Sequence, residues 1–519
     1  MDVAPRTAEQ DVVVVGGGIA GLTAAALLAR EGVAVALLES HYQSGGCAGT
    51  FRRGPWCFDV GATQVAGLEP GGIHQRLFTH LGMPAPAATP LDPGCVVDLG
   101  DGEPPVRLHR DPAAWRQERR RQFPGSDRFW DLCAALHRAN WAFAGRDPVL
   151  PPRSWWDLGQ LLGALRPATL ASGLATAATI ADLQRLTGCG AGVAGERLRR
   201  FLDLQLRLYS QEPAAGTAAL YGATVLAMAQ APLGLWHLQG SMQALSSVLE
   251  QALRQGGGAL RLRHRVQRLT PQGGGWLVQG QGPAQRPFAL EAQQLVCSVP
   301  PQALPELLAD GLPRSYGNRL ESFPDPSGAL VFYGAVDRQR LPPLAGLHAQ
   351  LEWNDPGSLF VSISAEGDGR APAGQATVIA SVFTPARPWF GLEEPAYQQR
   401  KQQAMAGIET GLQQLLGLTP ADYRHRELAT PRGFAGWTGR PFGFVGGLGQ
   451  HPSRFGPFGL ASRTPLPGLW LCGDAVHPGE GTAGVSLSAF TACRQLREAQ
   501  GAPLQLRGGE TLAAAAGSG

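Results

Sequence analysis

Hydrophobic positions recur along the chain in two rhythms, one of helices and one of strands. Residues 11–15 form an apolar run that predicts a strand buried on both faces of a parallel sheet. Residues 19–30, rich in Ala and Leu, predict a helix that Gly32 ends, and 33–38 predict the next strand. A mostly helical pattern then covers 111–239, with aromatic and arginine-bearing segments at 155–165 and 116–121, the latter read as a solvated helix face. Residues 260–269 alternate as a strand, and the turn Gly273-Gly274-Gly275 leads to a second strand from Trp276. After a short apolar strand at 294–299 come alternating runs at 329–336, 347–353, 359–365 and 377–383. Their period suits a twisted, mostly antiparallel sheet with one buried face. A helix over 397–416, a Gly- and aromatic-rich loop region, a last buried strand at 469–472 and a helix over 484–499 complete the order. From Gly508 onward Gly and Ala offer little to pack, so that tail is expected to be disordered.

A chain of 519 residues exceeds one compact core and predicts two domains built from interleaved segments. With 44% hydrophobic and 16% charged residues it is globular and rather apolar, and a net charge of +3 is too small to imply a nucleic-acid partner. The eight cysteines are scattered with neither zinc-ligand nor disulfide-framework spacing, so no metal is expected and the thiols are read as reduced, in a cytoplasmic protein. The first ten residues are polar, without the apolar core of a signal peptide. Residues 213–236 carry no charge, but Gly216, Gly222, Gln230, Pro232 and Gly234 interrupt them, which favours a buried or membrane-surface helix over a span.

The chemistry starts at Gly16-Gly17-Gly18-Ile19-Ala20-Gly21, between the first strand and the first helix. Gly16 permits the tight turn, Gly18 lets backbone approach a pyrophosphate, and Gly21 allows close helix–strand packing. The helix start at Ile19 and Ala20 offers unpaired N–H groups to the anion. Glu39, with Ser40 beside it, ends the second strand, where a carboxylate accepts ribose hydroxyl hydrogen bonds and repels a phosphorylated ribose. Gly45-Gly46 follow closely, as where a chain folds back over a pyrophosphate. At the far end Leu469-Trp470-Leu471-Cys472-Gly473-Asp474 is an apolar strand running into Gly-Asp. An Asp there can bond a ribitol hydroxyl, while the following helix, with Gly484 and Val485 at its start, directs N–H groups at the cofactor. NAD has no ribitol, so the cofactor is FAD.

These motifs, with Gly45-Gly46-Cys47-Ala48-Gly49-Thr50-Phe51, Phe58-Asp59-Val60-Gly61-Ala62-Thr63-Gln64 and Gly473-Asp474-Ala475-Val476-His477-Pro478-Gly479, resemble the phytoene desaturase and carotenoid isomerase family over nearly the whole chain. Runs at 65–74, 146–153 and 234–240 resemble more narrowly the cyanobacterial carotenoid C-3′,4′ desaturases of myxol-type carotenoid synthesis. The resemblance implies an α/β fold: a discontinuous Rossmann-like FAD-binding domain (GR2-type) with an interleaved α+β substrate domain. Its segments are 9–110, 239–312 and 430–505 for FAD, 111–238 for a helical, membrane-associating part and 313–429 for the antiparallel sheet, with 506–519 as tail. It further implies backbone contacts from Val266 to the adenine, closure of the middle FAD segment at Val299-Pro300, and approach of Gly61-Ala62-Thr63 to the flavin ring. Cys47 departs from the pattern, since many relatives carry Arg there.

By that resemblance the substrate is a carotenoid, desaturated at or near a membrane surface, with a quinone or dioxygen as electron acceptor. Removing two hydrogens from adjacent carbons leaves at most a weak base to be found in the protein, and His477 and Glu480 are the titratable candidates. Trp155, Trp156, Leu161, Leu162 and Leu165, near Arg153 and Arg166, form an interfacial patch. Three alternatives share the architecture: a redox-neutral carotenoid cis–trans isomerase using reduced FAD, an amine oxidase with Lys401 (the only lysine) beside the flavin, and a flavin-free lipid-binding escort.

Overall fold

The computed structural model describes residues 6–173, 175–353 and 358–506, so the tail expected to be disordered lies outside the described residues. Consecutive valines establish the first layer. Within the Arg6–Val15 strand, Val12 and Val14 enter one core and Val13 and Val15 another, so alternate side chains fill both faces of the sheet. Five strands run parallel here in the order Leu469–Leu471, Pro287–Cys297, Arg6–Val15, Val35–Leu38, Ala259–Arg261. The antiparallel pair Arg265–Gln272 and Gly275–Gln281 joins the earlier half of Pro287–Cys297, leaving its last residues for Leu469–Leu471. The single strand expected over 260–269 is therefore two. The chain turns between them, with Arg263 at φ 58, because its N–H and that of His264 donate to the carbonyls of His41 and Glu39.

One face of this sheet carries the Ile19–Arg30 helix, wedged between the Gln243–Gln255 and Gly481–Ala499 helices. Its small residues Ala24, Ala25 and Ala26 are fully buried and permit that close packing. A second sheet has the order Tyr423–Ala429, Gly328–Asp337, Gln375–Thr384, Ser358–Ile363, His348–Glu352, Val96–Asp98, Val106–Arg107. It is antiparallel except where His348–Glu352 pairs with Val96–Asp98. The alternating runs predicted one buried face, yet both are covered. Leu330, Phe332 and Val336 meet Ile408 and Leu412 of the Glu394–Leu416 helix, while Val331, Tyr333 and Ala335 meet Phe58, Val60 and Phe434. The second face is buried because the hairpin Thr50–Arg53 and Trp56–Asp59 and the Pro431–Thr438 helix pack over it.

Residues 111–239 form a helical layer around a core that includes Trp115, Phe123, Phe201 and Leu202. The uncharged stretch 213–236 holds one short helix, Ala219–Val225, whose Gly222 lies so near Ile180 that an added Cβ would stand 2.4 Å from its Cγ1. That segment is core. Among the described residues no helix is long and apolar enough to cross a membrane.

Candidate functional site

The glycine turn has room for side chains in one place only. A Cβ on Gly16 would lie 2.8 Å from Ser298 Oγ, one on Gly17 would lie 2.9 Å from Glu39 Cβ, and one on Gly21 would lie 1.9 Å from the Gly16 carbonyl. At Gly18 it would meet nothing within 4 Å. Gly18 is also the N-cap of the Ile19–Arg30 helix, which no side chain caps. The turn is thus packed everywhere except at Gly18, beside the uncapped start of the helix, the kind of opening an anion needs.

Glu39 is buried beside that opening. Its carboxylate accepts from the Gly17 N–H at 2.7 Å and the His41 N–H at 2.6 Å, and Ser40 Oγ donates at 3.2 Å. Burial raises its pKa against the pull of those donors. Val266 lies two residues past His264, whose N–H donates to the Glu39 carbonyl. The glycine pair folds back as expected: Gly45, at φ 113, donates to the Gly17 carbonyl at 2.8 Å and bridges to Gly18. The segment after it carries the ring-side candidates, since the Ala62 N–H donates to the Cys47 carbonyl at 3.2 Å and Val60 N–H to Gly49. Thr63, next along, is buried.

From the other end of the chain, Leu469–Leu471 delivers Gly473 at φ 121 and then Asp474. Asp474 has a partner that the sequence did not suggest, Arg440, which donates to its two oxygens at 2.8 and 2.6 Å. The same guanidinium reaches Cys47 Sγ at 3.7 Å. Cys47 and Arg440 are 393 positions apart, and no spacing signal could have joined them. The last helix begins at Gly481 rather than Gly484, because Glu480 takes the N-cap. The unpaired first-turn N–H groups therefore lie just before Gly484 and Val485, which already stand inside the ladder.

The two titratable candidates have opposite characters. Glu480 Oε1 accepts from the Gly447 N–H at 2.9 Å and from Gln211 Nε2. Desolvation, helped by the nearby Asp474, pushes its pKa up to about 8, so it is protonated at neutral pH. His477 contacts the Phe455 ring, and burial pushes it down to about 4, so it is neutral. Phe455 touches Tyr221, whose hydroxyl donates to the Tyr209 carbonyl, and Tyr209 reaches Gln64, the residue after Thr63. Tyr209 also borders a small apolar void with Trp115, Phe201, Leu226, Met228 and Leu235. Lys401, by contrast, lies on the Glu394–Leu416 helix, across the second sheet from Phe58 and Val60.

The family profile for flavin containing amine oxidoreductases matches residues 19–497. Hydroxyneurosporene desaturase of Cereibacter sphaeroides is 28% identical over 92% of this chain and 95% of its own length. A chloroplastic prolycopene isomerase of Daucus carota is 23% identical over 93% of this chain and 79% of its own length. Human all-trans-retinol 13,14-reductase is 32% identical over 125 residues, 23% of this chain and 20% of that protein. Among solved structures, a putrescine oxidase variant with redesigned cofactor binding superimposes with a TM-score of 0.61 over 96% of this chain at 16% identity, a likeness of fold. The open glycine turn beside buried Glu39 thus coincides with a family match over most of the chain; the chain belongs to the flavin-containing amine oxidoreductase family and is an FAD-dependent oxidoreductase.

Proposed function

We propose that the protein desaturates a carotenoid, removing two hydrogens from adjacent carbons of a long polyene, with the C-3′,4′ bond as its target. The observation that carries this reading is the likeness to hydroxyneurosporene desaturase over 92% of this chain and 95% of that protein. A hydrocarbon needs water excluded and no charged anchor, and the side chains around Tyr209, which meets Gln64 beside the expected flavin face, are aromatic and aliphatic with Gln205 as a polar exception. The position of Lys401 across the second sheet disfavours an amine oxidase chemistry based on that lysine.

FAD, when bound, supplies a hydride acceptor. In this reading Gly16–Gly21 and Gly45-Gly46 hold the phosphates, Glu39 the adenosine ribose and Asp474 the ribitol. The cation left on the polyene is delocalised, so proton removal needs only a weak base. His477, neutral at pH 7, can accept that proton; Glu480, already protonated, cannot until it gives one up. Both of Glu480's donors reach Oε1, which leaves Oε2 to carry its proton. The substrate enters from a membrane surface on which exposed Trp155, Leu162 and Leu170 rest, flanked by exposed Arg153 and Arg166. A quinone or dioxygen takes the electrons.

A second reading, a redox-neutral cis–trans isomerase, is favoured by the likeness to prolycopene isomerase over 93% of the chain. Expression in bacteria that accumulate defined carotenoids separates the two. A product two hydrogens lighter with a longer chromophore is expected; an unchanged mass with altered geometry selects isomerisation, and no change with any carotenoid sinks both.

A further inference from the structure

Cys47 occupies the position where the resemblance implies an arginine, immediately after the paired glycines that fold over the phosphate turn. The cation is nevertheless present, brought from elsewhere in the chain. Arg440 holds Asp474 with two hydrogen bonds and extends an N–H to Cys47 Sγ, and its side chain is only 13% exposed. Its backbone is fixed against the same loop. Trp437, three residues earlier, donates from Nε1 to the Gly46 carbonyl at 3.2 Å and packs its ring 4.2 Å from His41. Gly439, at φ 68, closes the Pro431–Thr438 helix so near Ser40 that a Cβ would stand 3.2 Å from Ser40 Oγ. The Arg440 N–H donates to Thr438 Oγ1 at 3.2 Å. The guanidinium therefore sits between the end of the glycine fold-back and the Gly473-Asp474 turn.

A carboxylate uses only part of an arginine's five N–H donors, and a neutral thiol is a weak acceptor. Burial raises the Cys47 thiol, so it brings no negative charge of its own to the guanidinium. Among the described residues Arg440 Nε has no acceptor, so donors remain for an anion entering the cradle.

We propose that Arg440 binds the flavin-side phosphate of FAD, supplying from the far end of the chain the guanidinium that Cys47 does not. Asp474 orients it, and the pair moves the cofactor's cation from the first segment to the third. This rests on the protein's FAD dependence and not on the carotenoid reading, so a chain that binds FAD yet alters no polyene leaves it standing.

The test measures FAD dissociation constants by flavin fluorescence and the melting temperature of flavin-free protein. Arg440→Gln keeps a donor for Asp474 while removing the charge. It should weaken FAD binding about ten- to hundredfold, the loss of a charge-assisted phosphate contact, with flavin-free melting close to wild type. Adding Cys47→Arg to that variant should recover most of the affinity. Wild-type affinity in Arg440→Gln, or a folded double variant with no recovery, overturns the proposal. Unchanged affinity with a displaced flavin reduction potential puts Arg440 against the ring and also overturns the phosphate assignment. If Arg440→Gln does not fold, Cys47→Arg alone decides. With the place already filled it should bind FAD no tighter than wild type, and a tenfold gain sinks the proposal.

Discussion

At the scale of single residues, Gly18 and Gly21 separate packing from binding. Gly18 adopts φ −69, which any residue tolerates, and faces open space. Gly18→Ala should leave flavin-free stability within about 0.5 kcal/mol while lowering FAD affinity, because the new methyl would stand where the proposed reading puts the phosphates. Gly21→Ala should instead cost about 1–3 kcal/mol through overpacking against the Gly16 carbonyl, seen as a lower urea midpoint. Glu480 makes a pH prediction. Its folded pKa, raised from 4.5 to about 8 by burial, means that the folded chain retains a proton the unfolded chain releases. The stability from this group is complete below pH 4.5 and is lost as pH rises through about 8, at a slope of up to about 1.4 kcal/mol per pH unit. Melting curves of wild type and Glu480→Gln should therefore diverge across that window, with the variant lacking the decline; parallel curves contradict a protonated Glu480. His477→Ala should slow turnover about a hundredfold if His477 takes the proton, with FAD affinity unchanged. Wild-type turnover reduces it to scaffold.

At the scale of elements, the Trp155–Ala164 helix has a fixed end and a free face. Ser154 caps it by accepting from the Asp157 N–H, and buried Asp157 is held by Arg463, Gln495 and the Arg153 N–H. That anchor ties the helix to Arg463 and to Gln495 of the Gly481–Ala499 helix and leaves Trp155 88% and Leu162 58% exposed one heptad apart, on the same side. Trp155→Asp with Leu162→Asp should leave melting unchanged and reduce sedimentation with anionic lipid vesicles several-fold. Equal sedimentation removes this helix from the membrane contact. The patch as expected from sequence was wider, but Trp156 turns inward under Arg494, whose guanidinium lies 5.4 Å from its ring.

At the scale of the whole molecule, a buried charge cluster joins the second sheet's loop between Ser358–Ile363 and Gln375–Thr384 to the short strands Trp56–Asp59 and Trp236–Leu238, which belong to neither large sheet. Arg370 reaches Asp59 at 2.9 Å in the first segment, Asp368 at 3.0 Å and the Leu238 carbonyl at 2.8 Å, and His237 bonds Asp368 at 2.8 Å. Arg370, Asp59 and Asp368 are each 2% exposed. Asp59 in turn accepts from Thr50 Oγ1 and the Met242 N–H, so the cluster positions Val60–Thr63 through the strand that precedes them. Arg370→Leu should cost about 3–5 kcal/mol because two carboxylates lose their partner in the interior. The calorimetric transition should fall accordingly; a transition at wild-type temperature contradicts the assignment.

Local signals in the sequence determined the phosphate turn, Glu39, the Gly45-Gly46 fold-back and the Gly473-Asp474 strand end, because backbone conformation and close approach restrict residue choice position by position. They also placed four strands of the second sheet, Gly328–Asp337, His348–Glu352, Ser358–Ile363 and Gln375–Thr384, whose alternation is a short-range property, but not Tyr423–Ala429, Val96–Asp98 or Val106–Arg107, which only pairing in the fold revealed. Tertiary structure alone decided what covers that sheet's second face and what becomes of the uncharged stretch 213–236. It alone joined Asp59 to Arg370, and Cys47 and Asp474 to Arg440. A charge pair formed between segments hundreds of residues apart leaves no periodicity or spacing in either one, since its geometry exists only once both sheets have closed around it.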